Sequence, residues 1–107
     1  MKLIVAIINR DDASAVTRNL TQHGFSSTAL STTGGFLLAG NVTLLIGVKD
    51  DQVQEAIDAI REQAHSRKQM VPAMTEMSYV FMPVMPVEVT VGGATVFVVD
   101  VERFERV

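Results

Sequence analysis

The sequence predicts an α+β domain in which an antiparallel sheet carries two helices on one face. With 107 residues, the chain can enclose one core, so residues 1–107 are expected to form a single domain. Two stretches place apolar residues at helical spacing, and β-rich segments lie before, between and after them. This βαβ-βαβ order is the ferredoxin-like βαββαβ arrangement, here with an extra hairpin in its second half.

The first βα unit begins with a β-branched run over residues 3–8, which predicts a central strand buried on both faces. Asp11 or Asp12 is expected to cap a helix over about residues 12–23. Gly24 is expected to end that helix, since glycine is the common residue just past a helix C-terminus.

Two further strands are predicted before the second helix. Residues 25–32 alternate and are rich in small hydroxyl residues, which favours a strand running into a Gly-Gly loop. Residues 41–48 are apolar and predict a third strand. A ligand loop is therefore expected between the second and third strands.

The second helix is predicted to begin at a cap formed by Asp50 or Asp51. Its apolar stripe runs at helical spacing from Val53 to Ala64, and residues 66–71 are expected to leave the helix. Because Asp50 and Asp51 suit this capping role, they are not expected to form a catalytic dyad.

The C-terminal part is predicted to contain a long loop and a hairpin. Residues 72–86 hold all three prolines and are expected to form a loop, with an extended piece at 78–81. Residues 87–91 alternate, Gly92-Gly93 is expected to form a two-residue hairpin turn, and residues 94–101 return as a strand.

Composition excludes several classes of function. The net charge is −3 without a basic tract, which argues against nucleic-acid binding through phosphate neutralisation. There is no cysteine, hence no disulfide framework and no thiolate metal site. The apolar run at the N-terminus is too short for a membrane span and lacks a signal-peptide cleavage pattern. A cytoplasmic protein without a membrane partner is expected.

Catalytic and metal-ligating residues are not predicted. His23 and His65 lie at or near predicted helix C-termini, where pairing with the helix dipole is the simplest role. No other ligands stand at metal-site spacing around them, and no nucleophile has a partner in a recognisable order. The protein is therefore expected not to be an enzyme.

One segment is built differently from the ordinary strands and helices around it. Residues 32–43 read TTGGFLLAGNVT. Adjacent glycines let a ligand approach the main chain, Phe36 can stack on a flat ring, and the Asn41 amide suits the edge of an adenine. A plain Gly-Gly turn with Phe36 in the core is the alternative, and spacing alone leaves both open.

Four motifs together resemble the cyclic-di-AMP receptor family of P-II-like signalling proteins. They are MKLIVAI at 1–7, TTGGFLxxGNxT at 32–43, GVxDDxV at 47–53 and PVEVxVGGATVFV at 86–98. The resemblance covers nearly the whole chain. It implies a P-II-like fold, a homotrimer with sites at the subunit clefts, and cyclic-di-AMP as the ligand, with no other cofactor.

The resemblance also implies roles for six residues. Thr28 would hydrogen-bond the ligand from the second strand, Asn41 would read an adenine edge, and Gly47 would let the base lie close to the backbone.

The other three residues belong to the glycine-rich loop. Gly35 and Leu37 would enclose one base, and Phe36 would stack on or against it. This loop and the loop at 72–86 would rearrange on binding and change a surface for an unknown protein partner.

One departure from the family pattern concerns charge. This chain has Ser26-Ser27-Thr28 where better-known members have Arg-Ala-Thr, and that arginine approaches a phosphate. A charge-assisted contact contributes about 1.5–3 kcal/mol, or about ten- to a hundredfold in affinity. The alternative reading is therefore a P-II-like protein-interaction module that binds a different small molecule or none. An enzyme of ferredoxin-like fold is a third reading.

Overall fold

The computed structural model describes residues 1–30, 40–72 and 86–107. These residues form two helices and six strands, with one 3₁₀ turn. In chain order they are β1 (Lys2–Asn9), α1 (Arg10–Gln22), β2 (Thr28–Leu30), β3 (Asn41–Val48), the 3₁₀ turn (Asp50–Gln52), α2 (Val53–Ala64), β4 (Ser66–Pro72), β5 (Pro86–Gly92) and β6 (Ala94–Asp100).

A four-stranded sheet forms the body of the molecule, with the strand order β2-β3-β1-β6. All three strand pairs are antiparallel, and β1 lies in the interior between β3 and β6. This order matches the predicted ferredoxin-like arrangement, in which the first and third strands are central.

Alternation along the central strands separates two faces of the sheet. Ile4, Ala6 and Ile8 of β1 are at most 1% exposed, and the even-numbered residues of β3 are likewise buried. They pack with the two helices in one core, which also includes Val16, Leu20, Phe25, Ala56, Ala59, Ile60 and Ala64. The odd-numbered residues of β1 are half-buried, so a single chain does not by itself give the expected full burial on both faces.

The opposite side, called here the open face, carries the odd-numbered residues of β1, β3 and β6 and the ends of β2. Residues directly opposite each other on neighbouring strands share a face. One such row runs across all four strands through Thr28, Leu45, Val5 and Phe97. No helix of the described chain covers this row.

Helix α1 begins two residues earlier than expected, at Arg10. Its cap is Asn9, whose Oδ1 accepts a hydrogen bond from the Asp11 backbone N–H at 2.8 Å. The prediction of an Asp11 or Asp12 cap was therefore wrong, and both carboxylates lie in the first turn instead. An amide can fill the same capping role as a carboxylate, which is why the choice between neighbours was open.

The start of α2 also differs from the prediction. A 3₁₀ turn precedes the helix, Lys49 and Gln52 occupy the two cap positions, and neither makes a side-chain capping bond. Asp50 instead pairs with the Met1 amino group at 2.8 Å. The expected Asp50 or Asp51 cap was therefore wrong. The contact with Met1 joins residues far apart in the sequence, so no local pattern could indicate it.

Strand β2 begins later than the predicted strand over residues 25–32. Within the described part of that range, Thr28–Leu30 pair with β3, and residues 31–32 lie outside it. Phe25 turns into the core, where it is 6% exposed, and its backbone N–H donates to the Leu20 carbonyl at 2.9 Å.

The second sheet consists of β4 and β5, called here the arm. Strand β4 occupies residues that were expected only to leave the helix, and it pairs antiparallel with β5. The predicted hairpin turn at Gly92-Gly93 was wrong, because β5 pairs with β4 while β6 pairs with β1. The two glycines, with φ of 78° and 80°, connect the two sheets instead. Most of the predicted loop, including its extended piece, lies outside the described residues.

Candidate functional site

A cleft of about 530 Å³ opens at the C-terminal end of β3. This volume falls within the range of small-molecule sites. The lining combines the end of β3 and the 3₁₀ turn with the turn after α1 and the first residue of the chain. These residues are Met1, Gly24, Phe25, Ser26, Gly47, Val48, Lys49, Asp50 and Gln52.

Strand pairing explains why distant residues share this cleft. Thr28 pairs with Leu45 in the antiparallel β2–β3 ladder. Continuing the same register by two residues places Ser26 beside Gly47, and both line the cleft. The position where better-known family members carry arginine therefore lies next to a predicted site residue.

Gly47 leaves space in the cleft because it has no side chain. A Cβ added at this position would lie 3.1 Å from the Cε atom of Met1. Gly47 does not have a positive φ, so its backbone conformation suits any residue. The glycine thus provides room rather than a special turn.

The charges of the cleft include one internal ion pair. The Met1 amino group binds Asp50, and this hydrogen bond and the positive charge lower the pKa of the Asp50 carboxyl. The negative charge of the Asp50 carboxylate is therefore neutralised within the cleft by the Met1 amino group. Lys49 also lines the cleft and forms no ion pair with a described residue.

Thr28 lies close to this cleft. It is exposed in β2, on the open face, and its partner Leu45 lies two residues before Gly47. Alternate residues of a strand share a face. Thr28 and Gly47 therefore belong to the same side of the sheet, on adjacent strands.

Asn41 lies at the opposite end of β3. It is half-buried and pairs with Asn9 of β1. Gly47 lies six positions further along the strand, which corresponds to about 20 Å. The structure therefore brings Thr28 and Gly47 together but places Asn41 apart from them.

Gly35, Phe36 and Leu37 lie outside the described residues. The segment that contains them connects Leu30 to Gly40, at the Asn41 end of β3. Gly40 is held by a 2.6 Å hydrogen bond from the Arg10 backbone N–H to its carbonyl oxygen. This fixes the exit of the segment against the first turn of α1.

Metal binding and membrane insertion would each require a recognisable feature of the described residues. Across residues 1–30, 40–72 and 86–107, no three carboxylate or imidazole side chains gather in a way that could hold a metal ion. Neither described helix has the length and apolar character needed to cross a membrane.

Sequence reasoning missed most of the cleft lining. Gly24 was predicted only as the end of a helix and Phe25 as the start of a strand, and Gln52 was not singled out. Lys49 was predicted to lie at a strand end, where a solvated surface role was favoured over contact with a phosphate. The signal that could have found them is the β2–β3 register, since antiparallel pairing must return residues 24–26 to the end of β3.

Among known proteins, a family model and a solved structure are each similar to this chain over essentially its whole length. A family model described as "Cyclic-di-AMP receptor" matches residues 1–107. A crystal structure of a functionally unknown protein from Pediococcus pentosaceus ATCC 25745 is similar, with 39% sequence identity and a TM-score of 0.76. The match covers 99% of this chain and 96% of that one.

Proposed function

The chain belongs to the cyclic-di-AMP receptor family, and we propose that it binds cyclic-di-AMP and passes this signal to a protein partner. The observation that carries the proposal is the family match over residues 1–107. The family is one of receptors, so the proposed role is binding without turnover. We place it in the cytoplasm, with no nucleic-acid or membrane partner.

The proposed site uses the open face and the cleft at Gly47. Thr28 donates to the ligand from β2, and Gly47 lets a base approach the backbone of β3. Gly35 and Leu37 enclose a base, and Phe36 stacks on it. The room at Gly47 and the exposure of Thr28 support this assignment.

A site that also uses Asn41 is most simply formed between subunits. About 20 Å of strand separates Asn41 from Gly47 within one chain. A neighbouring subunit would bring a second copy of β3 to the same ligand. The proposed ligand position is therefore the cleft between subunits.

A homotrimer would cover the open face. Leu30, Phe97 and Val99 are 39%, 51% and 47% exposed there. They adjoin half-buried apolar residues of β1 and β3. A continuous apolar surface of this kind is typical of an interface, and self-association covers it with like surface.

Signal output is proposed to depend on two connecting segments. Residues 31–39 and 73–85 would rearrange when cyclic-di-AMP binds, and the second would change a partner-binding surface of the arm. A ligand can shift such a segment only through contacts that differ between its two states. Hydrogen exchange tests this: unchanged protection of both segments under saturating ligand would contradict the switch.

Isothermal titration tests the binding proposal directly. Cyclic-di-AMP is titrated into the full chain, with ATP and cyclic-di-GMP as controls. Selective binding near one ligand per subunit is expected. Absence of heat at high micromolar cyclic-di-AMP, or equal binding of all three nucleotides, would contradict the proposal.

The alternative function is a P-II-like interaction module that responds to a different small molecule or to none. Ser26 favours it, because a hydroxyl cannot supply the positive charge of the arginine in better-known members. The titration separates the two functions, since the alternative expects no selective response to cyclic-di-AMP.

A further inference from the structure

We infer that Lys49 is the residue that supplies positive charge to the ligand in the Gly47 cleft. The inference rests on the proposed function and concerns how the same site recognises an anionic nucleotide. It starts from the position of Lys49, which directly follows β3 and lines the cleft together with Ser26 and Gly47.

Most cations of the described chain are already neutralised by carboxylates elsewhere. The pairs are Lys2–Asp100, Arg61–Asp58, Arg67–Asp12, Lys68–Glu88 and Arg103–Glu105. Arg10, Arg18, Lys49 and Arg106 form no ion pair with a described residue. Of these four, Lys49 alone lines the Gly47 cleft.

The other charges of the cleft leave that of Lys49 uncompensated. Asp50 is the one carboxylate among the described residues that line the cleft, and it binds the Met1 amino group at 2.8 Å. The cleft thus carries local positive charge, although the whole chain has a net charge of −3. A local field of this sign attracts an anion even when the protein as a whole is acidic.

The chemistry of lysine suits a phosphodiester. Its ammonium group is a compact charge with three donors on a flexible stem, and it binds phosphate as a point charge. The Lys49 side chain is exposed, so it can turn toward a ligand without breaking an ion pair to any residue that the structure describes. Ser26, on the facing turn of the same cleft, offers a hydroxyl but no charge.

The test is a set of titrations with cyclic-di-AMP. Lys49→Gln is expected to weaken binding about tenfold, at the lower end of what a charge-assisted contact contributes because the site is open to solvent. Lys49→Arg keeps the charge and is expected to stay within about threefold of the parent. Arg61→Gln removes the same unit of charge outside the cleft and is expected to change nothing.

A second variant tests the geometry. Adding Ser26→Arg to Lys49→Gln is expected to restore affinity, since positions 26 and 49 line one cleft. Raising the ionic strength is expected to weaken the parent more than Lys49→Gln, because salt screens the interaction that the variant lacks.

The outcomes separate the two proposals. If the parent protein binds cyclic-di-AMP and Lys49→Gln binds equally well, the role of Lys49 is overturned and the proposed function stands. Equal losses in Lys49→Gln and Arg61→Gln also overturn it, because net charge would then explain the effect. If the parent takes up no cyclic-di-AMP, the proposed function fails and the role of Lys49 toward this ligand fails with it.

Discussion

Asp12 and Arg67 form an ion pair that joins the first turn of α1 to the base of the arm. The Arg67 Nη2 atom lies 3.1 Å from the Asp12 Oδ1 atom, and Asp12 is the one buried charged residue in the described chain. The same helical turn begins at Arg10, whose backbone N–H holds Gly40. The start of α1 therefore contacts both the arm and the end of the segment at 31–39.

Loss of this ion pair is expected to destabilise the protein. Asp12→Asn removes one charge and leaves Arg67 without its partner, and about 1–2 kcal/mol of the free energy of unfolding should be lost. The expected loss is no larger than this because the Arg67 side chain is 41% exposed and solvent screens the ion pair. Chemical denaturation at one fixed subunit concentration measures the change.

Asp11→Asn is the matched control for that prediction. Asp11 lies in the same first turn, so its loss weakens the interaction with the helix dipole to a similar extent but breaks no ion pair between described residues. Equal losses of stability in the two variants would show that the dipole, and not Arg67, accounts for the effect.

Gly92 is expected to tolerate no side chain. Its φ is 78°, and an added Cβ would collide with the Arg67 guanidinium and lie 2.8 Å from the His65 carbonyl oxygen. Gly92→Ala should therefore lower the free energy of unfolding by about 2 kcal/mol or more, through backbone strain and displacement of the Asp12–Arg67 pair.

Gly24→Ala separates these two causes. Gly24 has a similar φ of 86°, but an added Cβ would meet nothing within 4 Å. Strain alone should cost about 1 kcal/mol. Thermal unfolding of both variants measures the difference, and a Gly24→Ala loss as large as that of Gly92→Ala would refute the steric argument.

Filling the cleft at Gly47 is expected to weaken ligand binding without unfolding the protein. In Gly47→Ala the new methyl group would meet only the flexible end of Met1, at 3.1 Å, and alanine accepts the strand conformation. We expect an unchanged midpoint of thermal unfolding within a few degrees and a loss in cyclic-di-AMP affinity of about tenfold. Unaltered affinity by calorimetry would place the base away from Gly47.

A charge on the open face is expected to disrupt self-association. Phe97 lies in the row that crosses all four strands and is 51% exposed in a single chain. Phe97→Lys would force an ammonium group into an apolar interface, which requires desolvation without a partner. Light scattering after size exclusion should report a loss of the proposed trimer.

Phe104→Lys provides the comparison. Phe104 is 61% exposed and follows the last strand, outside the row on the sheet. The variant should keep the oligomeric mass of the parent. A parent protein that is monomeric, or a Phe97→Lys variant that keeps the parent's mass, would contradict the proposed interface.

The sequence predicted the parts of the fold that depend on local pattern. The apolar runs of β1 and β3 and the helical stripes of α1 and α2 are local patterns, so the order of these elements and the antiparallel four-stranded sheet were predicted. Gly24 also ends α1 as expected, with a φ of 86°. These features need only neighbouring residues to be recognised.

Features that depend on distant partners were missed. The pairing of Asp50 with the Met1 amino group withdraws it from capping α2, and β4 forms because β5 returns beside it. Gly92-Gly93 has the local sequence of a hairpin turn, but the strand that follows it, β6, pairs with β1 instead of β5. For the site, the motif resemblance named Thr28 and Gly47, and their roles toward a ligand stay predictions. The cleft that Gly47 lines follows from a register that only strand pairing defines.

Paired strands hold the ends of residues 31–39 and 73–85, the two segments that are proposed to contact the ligand and the partner. Leu30 and Thr43 form the last rung beside residues 31–39, and Pro72 and Pro86 form the last rung beside 73–85. Since folding of the sheets fixes the ends, doubling the length of either segment would cost only about 0.6 kcal/mol. Substitutions and insertions there can accumulate in evolution while the core stays intact. Relatives of this chain are thus free to diverge in what they recognise faster than in how they fold.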